Sequence, residues 1–236
     1  VSIRDAVAQS LNIPAVKLTK ELGIDSCKNY GLKCGIQFDD NDIGYSIALG
    51  GLTQGTTLKD ITDAYSTFNN NGSYAKSTFI KKIKINNKLS VYTRKNTITN
   101  VFLPESSYIM TDILKYATKN GTSKKLSKFS DYLASKTGTV NLPGSNLNTD
   151  AYSLGVTTEH IVCTWLGNYS MESEYHLNGN NNGGTYATEI NKSIFDNLYS
   201  THTPEDFNMP SGVVSYPIDA KTLSNKHIIL SGKNIP

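Results

Sequence analysis

The chain has 236 residues, 38% of them hydrophobic and 18% charged, with a formal net charge of +3. That length buries a substantial core in one large domain with a small subdomain, and needs no metal or disulfide framework to fold. The cations are almost all lysine, with arginine at Arg4 and Arg94 alone, so the arginine-bearing basic stripe of a nucleic-acid interface is missing.

In chain order, Ser2-Ile3-Arg4-Asp5 reads as a capping box that opens a first helix, which stops near Ser10-Leu11-Asn12. Pro14 suits the first position of a second helix carrying Ala15, Val16, Leu18 and Leu22, with Gly23 as its stop. Ser10 and Asn12 therefore fall on a helix–helix turn. A third, shorter helix covers 24–34. Cys27 and Cys34 on it are seven residues apart, about 10 Å of rise, which is too far for a disulfide. With Cys163 they read as free thiols, and no Cys-x-x-Cys or Cys/His spacing suggests a metal.

Leu49 to Gly55 is a glycine-rich loop without the lysine and hydroxyl residue of a phosphate loop. Thr57 caps the next helix, with Asp60 at its third position and Leu58, Ile61, Ala64, Tyr65 and Phe68 at helical spacing; Asn69 to Gly72 ends it. Phe79 to Ile85, a turn at Asn86-Asn87 and Leu89 to Tyr92 form an expected hairpin. Pro104 begins a helix that runs to Asn120-Gly121. Lys81, Lys82 and Lys84, and the pair Lys124 and Lys125, read as solvated faces. Strands follow at Asp131–Val140, Ala151–Thr157 and Ile161–Gly167, the last two a hairpin closed at Thr158-Glu159-His160. A loop from Asn178 to Gly184 leads into a closing helix, Thr188–Tyr199. The tail, with Pro204, Pro210 and Pro217, reads as a linker. Helices first, then successive antiparallel strands and a final helix, describe an α+β fold: an antiparallel sheet flanked by helices, with a helical subdomain. The division is a domain over 1–205 and a tail over 206–236.

The third-last strand contains Ala134-Ser135-Lys136-Thr137-Gly138-Thr139-Val140. Period-two alternation puts Thr137 and Thr139 on one face and Lys136 on the other. Two hydroxyls on one face can bind a carboxylate or a polarised carbonyl, Gly138 lets a substrate backbone approach, and the lysine supplies a positive field or relays a proton. An ordinary edge strand with a solvated lysine and a bulge glycine reads the same way, so partners elsewhere in the chain decide.

Ser10-Leu11-Asn12 and Lys136-Thr137-Gly138 are those partners. With "AQSLNIPAVKL", "IALGGLTQGTTLKDITDAYSTFNNNG" and "DAYSLGVTTEHIVCTWLGN" around them, the chain to about residue 200 resembles the penicillin-binding proteins. The likeness is to the transpeptidase domain of the bifunctional class A type. That superfamily carries Ser-x-x-Lys, Ser-x-Asn and Lys-Thr-Gly in this order, the first serine being the nucleophile.

The resemblance implies a β-lactamase/transpeptidase-like fold and a serine D,D-transpeptidase that cross-links peptidoglycan stem peptides without metal or cofactor and is acylated by β-lactams. It implies Ser10 as proton relay, helped by Lys136, Asn12 as holder of the substrate amide, and Thr137 and Thr139 as the carboxylate site beside Gly138. The Thr139 N–H becomes one arm of the oxyanion hole. The implied partners are the D-Ala-D-Ala donor, an amine acceptor, β-lactams and an N-terminal portion of the same domain. Its expected place is the extracytoplasmic face of a bacterial membrane, reached through an N-terminal anchor outside this sequence.

The first motif departs from the pattern. Ser73-Tyr74-Ala75-Lys76 is the one Ser-x-x-Lys in the sequence, but it follows Ser-x-Asn and reads as a solvated turn, so the nucleophile is expected to precede Val1. Val1 begins no signal peptide, and no run of about twenty apolar residues is present. Rival readings are a D,D-carboxypeptidase or β-lactamase with water as acceptor, or a non-catalytic module binding cell-wall peptide or β-lactam. A third is a hydrolase with Gly44-Tyr45-Ser46-Ile47-Ala48 as a degenerate nucleophile elbow and a histidine among His160, His176, His202 and His227; the acidic turn at Phe38–Asp42 argues against it.

Overall fold

The computed structural model describes residues 1–86, 88–95, 97–168 and 176–215. Helix α1 (Ile3–Ala8) starts where the Ser2 hydroxyl accepts the Asp5 N–H at 3.0 Å, the expected cap. Helix α2 (Asn12–Leu22) begins two residues before Pro14. Proline sits there as comfortably as at the first position, because the first turn of a helix leaves its N–H groups without intrahelical acceptors. Gly23, at φ 86°, turns the chain into α3 (Ile24–Lys33). Cys27, Cys34 and Cys163 are free thiols, and burial pushes the Cys163 thiol up to about 11.

Helix α4 (Leu58–Asn69) is capped by Thr57, whose hydroxyl oxygen accepts the Asp60 N–H at 3.1 Å. Two small antiparallel ribbons follow: β1 (Ser73–Ala75) with β4 (Ile98–Asn100), and β2 (Lys82–Ile85) with β3 (Leu89–Thr93). The second is the expected hairpin, begun three residues late, with Phe79 94% exposed among the described residues; Asn87 of its turn lies outside the described residues. The first ribbon is a correction, since Ser73 sits on a paired strand rather than in a turn.

Helix α5 (Pro104–Asn120) and a 3₁₀ turn at Lys124–Phe129 lead into β5 (Ala134–Asn141), β6 (Asn148–Val156) and β7 (Ile161–Gly167), an antiparallel sheet in the order β5-β6-β7. Strand β5 starts three residues later than its sequence suggests because the Tyr132 N–H is drawn into a turn with Phe129 O at 3.1 Å. Helix α6 (Thr188–Leu198) packs on this sheet. Leu126, Phe129, Leu133 and Phe195 form its core. A Cβ at Gly155 of β6 would lie 2.6 Å from the Phe195 ring, so glycine makes the seat for that ring. On the helical side, Tyr30 and Phe68 stack on Phe102 at centroid distances of 5.5 and 5.6 Å.

The tail expected as a linker is docked over its described part. Pro204 is buried, Thr158 Oγ1 donates to Glu205 O at 2.9 Å, and Asp206 pairs with Lys115 of α5 at 2.5 Å. Pro217 lies outside the described residues, as does His227.

Candidate active site

Helix α5 brings the two sequence motifs together. At its end the chain runs so close to α1 that a Cβ on Gly121 would lie 2.2 Å from Ala8 O. The next N–H, of Thr122, donates to that carbonyl at 3.1 Å. Gln9 Nε2 donates to Asn120 O at 3.0 Å and Tyr116 OH to Asp5 Oδ1 at 3.0 Å, fixing α1 along α5. On its other side, Thr118 Oγ1 lies 2.8 Å and Ser123 Oγ 2.6 Å from Ser135 Oγ of β5, in a ladder of buried hydroxyls. Ser10, on the α1–α2 turn, and Lys136, on β5, are thus held against one scaffold.

Lys136 Nζ donates to Ser10 Oγ at 2.7 Å and to Thr137 O at 2.7 Å. Burial lowers the Lys136 ammonium from its ordinary 10.5 to about 8, because desolvation disfavours the charged form. Ser10 adopts φ 54°, the left-handed region, which costs a non-glycine residue about 1–2 kcal/mol. Asn12 opens α2 with its side chain exposed and without a hydrogen-bond partner among the described residues. The two threonines share the face opposite Lys136, as alternation requires. Thr137 Oγ1 lies 2.5 Å from Thr122 Oγ1, and Thr139 Oγ1 accepts the Gly183 N–H at 3.0 Å. At Gly138 an added Cβ would meet Tyr152 Cβ at 3.4 Å, an ordinary contact. Pairing with β6 therefore makes no demand for glycine there.

Sequence reasoning missed Thr122 and Gly183. Each stood only as punctuation, one after a helix stop and one in a glycine–asparagine loop. A Cβ at Gly183 would lie 2.3 Å from Tyr152 O and 2.4 Å from Gly138 O, a proximity no local pattern encodes.

Ser73 donates to Asn100 Oδ1 at 3.0 Å, and neither it nor Lys76 is hydrogen-bonded to Ser10, Lys136, Thr137 or Thr139. Ser46 lies in a 3₁₀ turn, Tyr45–Leu49, without the preceding strand an elbow needs. His160 and His202 are engaged with Tyr199 and Glu159 instead.

A family model described as the penicillin binding protein transpeptidase domain matches residues 1–198. The chain belongs to this family. Among relatives of this transpeptidase-domain chain, penicillin-binding protein 1A of Clostridium novyi (strain NT) is 31% identical over 225 residues, 93% of this chain and 24% of that protein. Penicillin-binding protein 1F of Bacillus subtilis (strain 168) is 30% identical over 224 residues, 94% of this chain and 30% of that protein. The chain thus spans 24% and 30% of the length of these two relatives. Penicillin-binding protein 1A from Haemophilus influenzae superposes with a TM-score of 0.73 at 18% identity, covering 93% of this chain and 37% of that one. PonA1 from Mycobacterium tuberculosis, solved in complex with penicillin V, does so at 0.71 and 19% identity, covering 89% and 59%. The fold is the α+β transpeptidase fold, as the sequence resemblance implied.

Proposed function

We propose that this transpeptidase domain cross-links peptidoglycan stem peptides through a serine acyl-enzyme and is acylated by β-lactams. The observation that carries the reading is the 2.7 Å bond between Lys136 Nζ and Ser10 Oγ, two residues 126 positions apart in the sequence. The nucleophile in this reading is the serine of the family's Ser-x-x-Lys motif. Its Oγ gives up its proton and adds to the carbonyl between two terminal D-alanines, the amide C–N bond breaks, and the leaving amine takes up a proton, so that the net transfer is one proton from the serine to the amine.

Ser10 delivers that proton. Its oxygen already accepts from Lys136, so its own hydrogen is free to point at the leaving nitrogen while the ammonium stands ready to replace it. An amine of a second stem peptide then attacks the ester and the proton returns to the serine. Thr139 Oγ1 accepts from Gly183, which leaves its proton available to the terminal carboxylate of the donor. Asn12 holds the substrate amide, and the Thr139 N–H supplies one arm of the oxyanion hole. The activity belongs to the outer face of a bacterial membrane.

Labelling the full-length protein with a fluorescent penicillin tests the reading. We expect one covalent label on the wild type and none on a folded Lys136→Ala variant. A folded, unlabelled wild type would refute acylation, and a wild-type labelling rate in Lys136→Ala would refute the role given to Lys136.

A further inference from the structure

Thr122 belongs to neither motif, yet it is bonded to the chain just before one and to a residue of the other. Its N–H is bonded to Ala8 O, two residues before Ser10. Its own carbonyl is packed so tightly by the glycine loop that a Cβ on Gly184 would lie 2.5 Å from the oxygen. Its hydroxyl lies 2.5 Å from that of Thr137. The backbone of Thr122 is therefore gripped from two sides, and the side chain is aimed at β5.

The consequence follows from counting protons. A threonine hydroxyl has one hydrogen and two lone pairs, whereas a carboxylate can only accept. In the Thr122–Thr137 pair one hydrogen is committed between the oxygens and one is left over. Thr137 is 8% exposed, while Thr122 is open to solvent. When Thr122 donates to Thr137, the hydrogen left over is the one on Thr137, and the bond that Thr137 accepts sets the direction in which this hydrogen points beside Thr139. A lone Thr137 hydroxyl would be free to rotate away from the ligand. Hydrogen bonds to a charged acceptor are the strong ones, so direction matters here more than at a neutral contact.

We infer that Thr122 is a positioning residue for the carboxylate of the acyl donor, orienting the Thr137 hydroxyl through the bond between them. The inference rests on the reading that Thr137 and Thr139 receive that carboxylate.

The experiment measures second-order acylation rates of the full-length protein with benzylpenicillin and with its carboxamide, in which the carboxylate is replaced by a neutral group. Thr122→Val is expected to slow acylation by benzylpenicillin roughly 10-fold to 100-fold, because a misdirected Thr137 hydroxyl forfeits its own hydrogen bond to the charged carboxylate. It should leave the carboxamide rate within about twofold, and Thr122→Ser should restore the wild-type preference for the carboxylate. Equal losses on both compounds would mean a structural role only and overturn the proposal, as would an unchanged preference. Thr137→Val separates the two readings. If it also leaves the preference intact, the carboxylate assignment itself falls; if it abolishes the preference while Thr122→Val does not, the inference about Thr122 alone falls. Should valine lower the thermal midpoint, Thr122→Ala supplies the same comparison.

Discussion

Lys136 shows how a single residue reports its surroundings. A lysine on a polar strand is ordinarily a solvated cation, and burial between β5 and the α1–α2 turn changes that by bringing its ionisation down to about 8. The folded chain then holds this proton less tightly than the unfolded chain. Lys136 therefore costs stability in full below pH 8, and the cost fades between about pH 8 and 10.5 as the unfolded form also deprotonates. In the proposed reaction, the attraction of this lysine for a substrate carboxylate has the opposite dependence, being strong below pH 8 and lost above it. Carbon-13 labelled lysine side chains followed by NMR should show one resonance with a midpoint near 8, absent from Lys136→Met; a Lys136 midpoint above 10 would sink this account. The stability difference between Lys136→Met and wild type should shrink between pH 8 and 10. The residue type and its partner motif were legible in the sequence, while the shift was not, because it depends on what covers the strand.

At the scale of elements, punctuation and periodicity carried far. Caps at Ser2 and Thr57, the stop at Gly23, the start at Pro104 and the whole of β7 follow from local rules, and the structure agrees with each. What local rules lack is tertiary competition. The ribbon of β1 and β4 joins segments too short and too far apart for any period to reveal. The hydroxyl ladder of Thr118, Ser123 and Ser135 reads in sequence as scattered polar residues, yet it welds α5 to β5. Gly183 is the sharpest case. Its φ carries no special demand, but an added Cβ would enter the backbone of both β5 and β6 at 2.4 and 2.3 Å. Backbone atoms cannot yield as a flexible side chain can, so Gly183→Ala must lift the loop or bend β5. We expect it to remove the Gly183–Thr139 bond and to cut β-lactam acylation at least about tenfold, the scale of one lost hydrogen bond to a group that meets charge. Acylation and thermal midpoint both at wild-type values would show that the loop does not brace the strand.

The whole molecule is organised around α5, which faces α1 on one side, β5 on another, and the returning tail on a third. Prolines at 204 and 210 made the tail read as a linker, and composition alone supports that reading. The structure replaces it with a strap: Pro204 is buried, Glu205 O accepts from Thr158 in the β6–β7 turn, and Asp206 pairs with Lys115 of α5. A Cβ on Gly212 would lie 2.7 Å from Glu105 Oε1, so the strap is still in contact at the other end of α5. It spans the sheet turn and the helix that sets the distance between Ser10 and Lys136. The ion pair is half open to water on the aspartate side, and such pairs contribute about 0–1 kcal/mol. Asp206→Asn should therefore change the urea midpoint little. Ending the chain after His202 removes that pair, a hydrogen bond of about 1 kcal/mol and the buried proline together, and should lower stability by about 1–3 kcal/mol. Urea denaturation of the two variants beside the 236-residue chain separates the readings. A linker can be cut without effect, whereas a strap loses more on removal than its one charged contact accounts for. If the shortened chain unfolds at the wild-type midpoint, residues 203 onward hold nothing in place, and the spacing of Ser10 and Lys136 is set by α1, α5 and β5 alone.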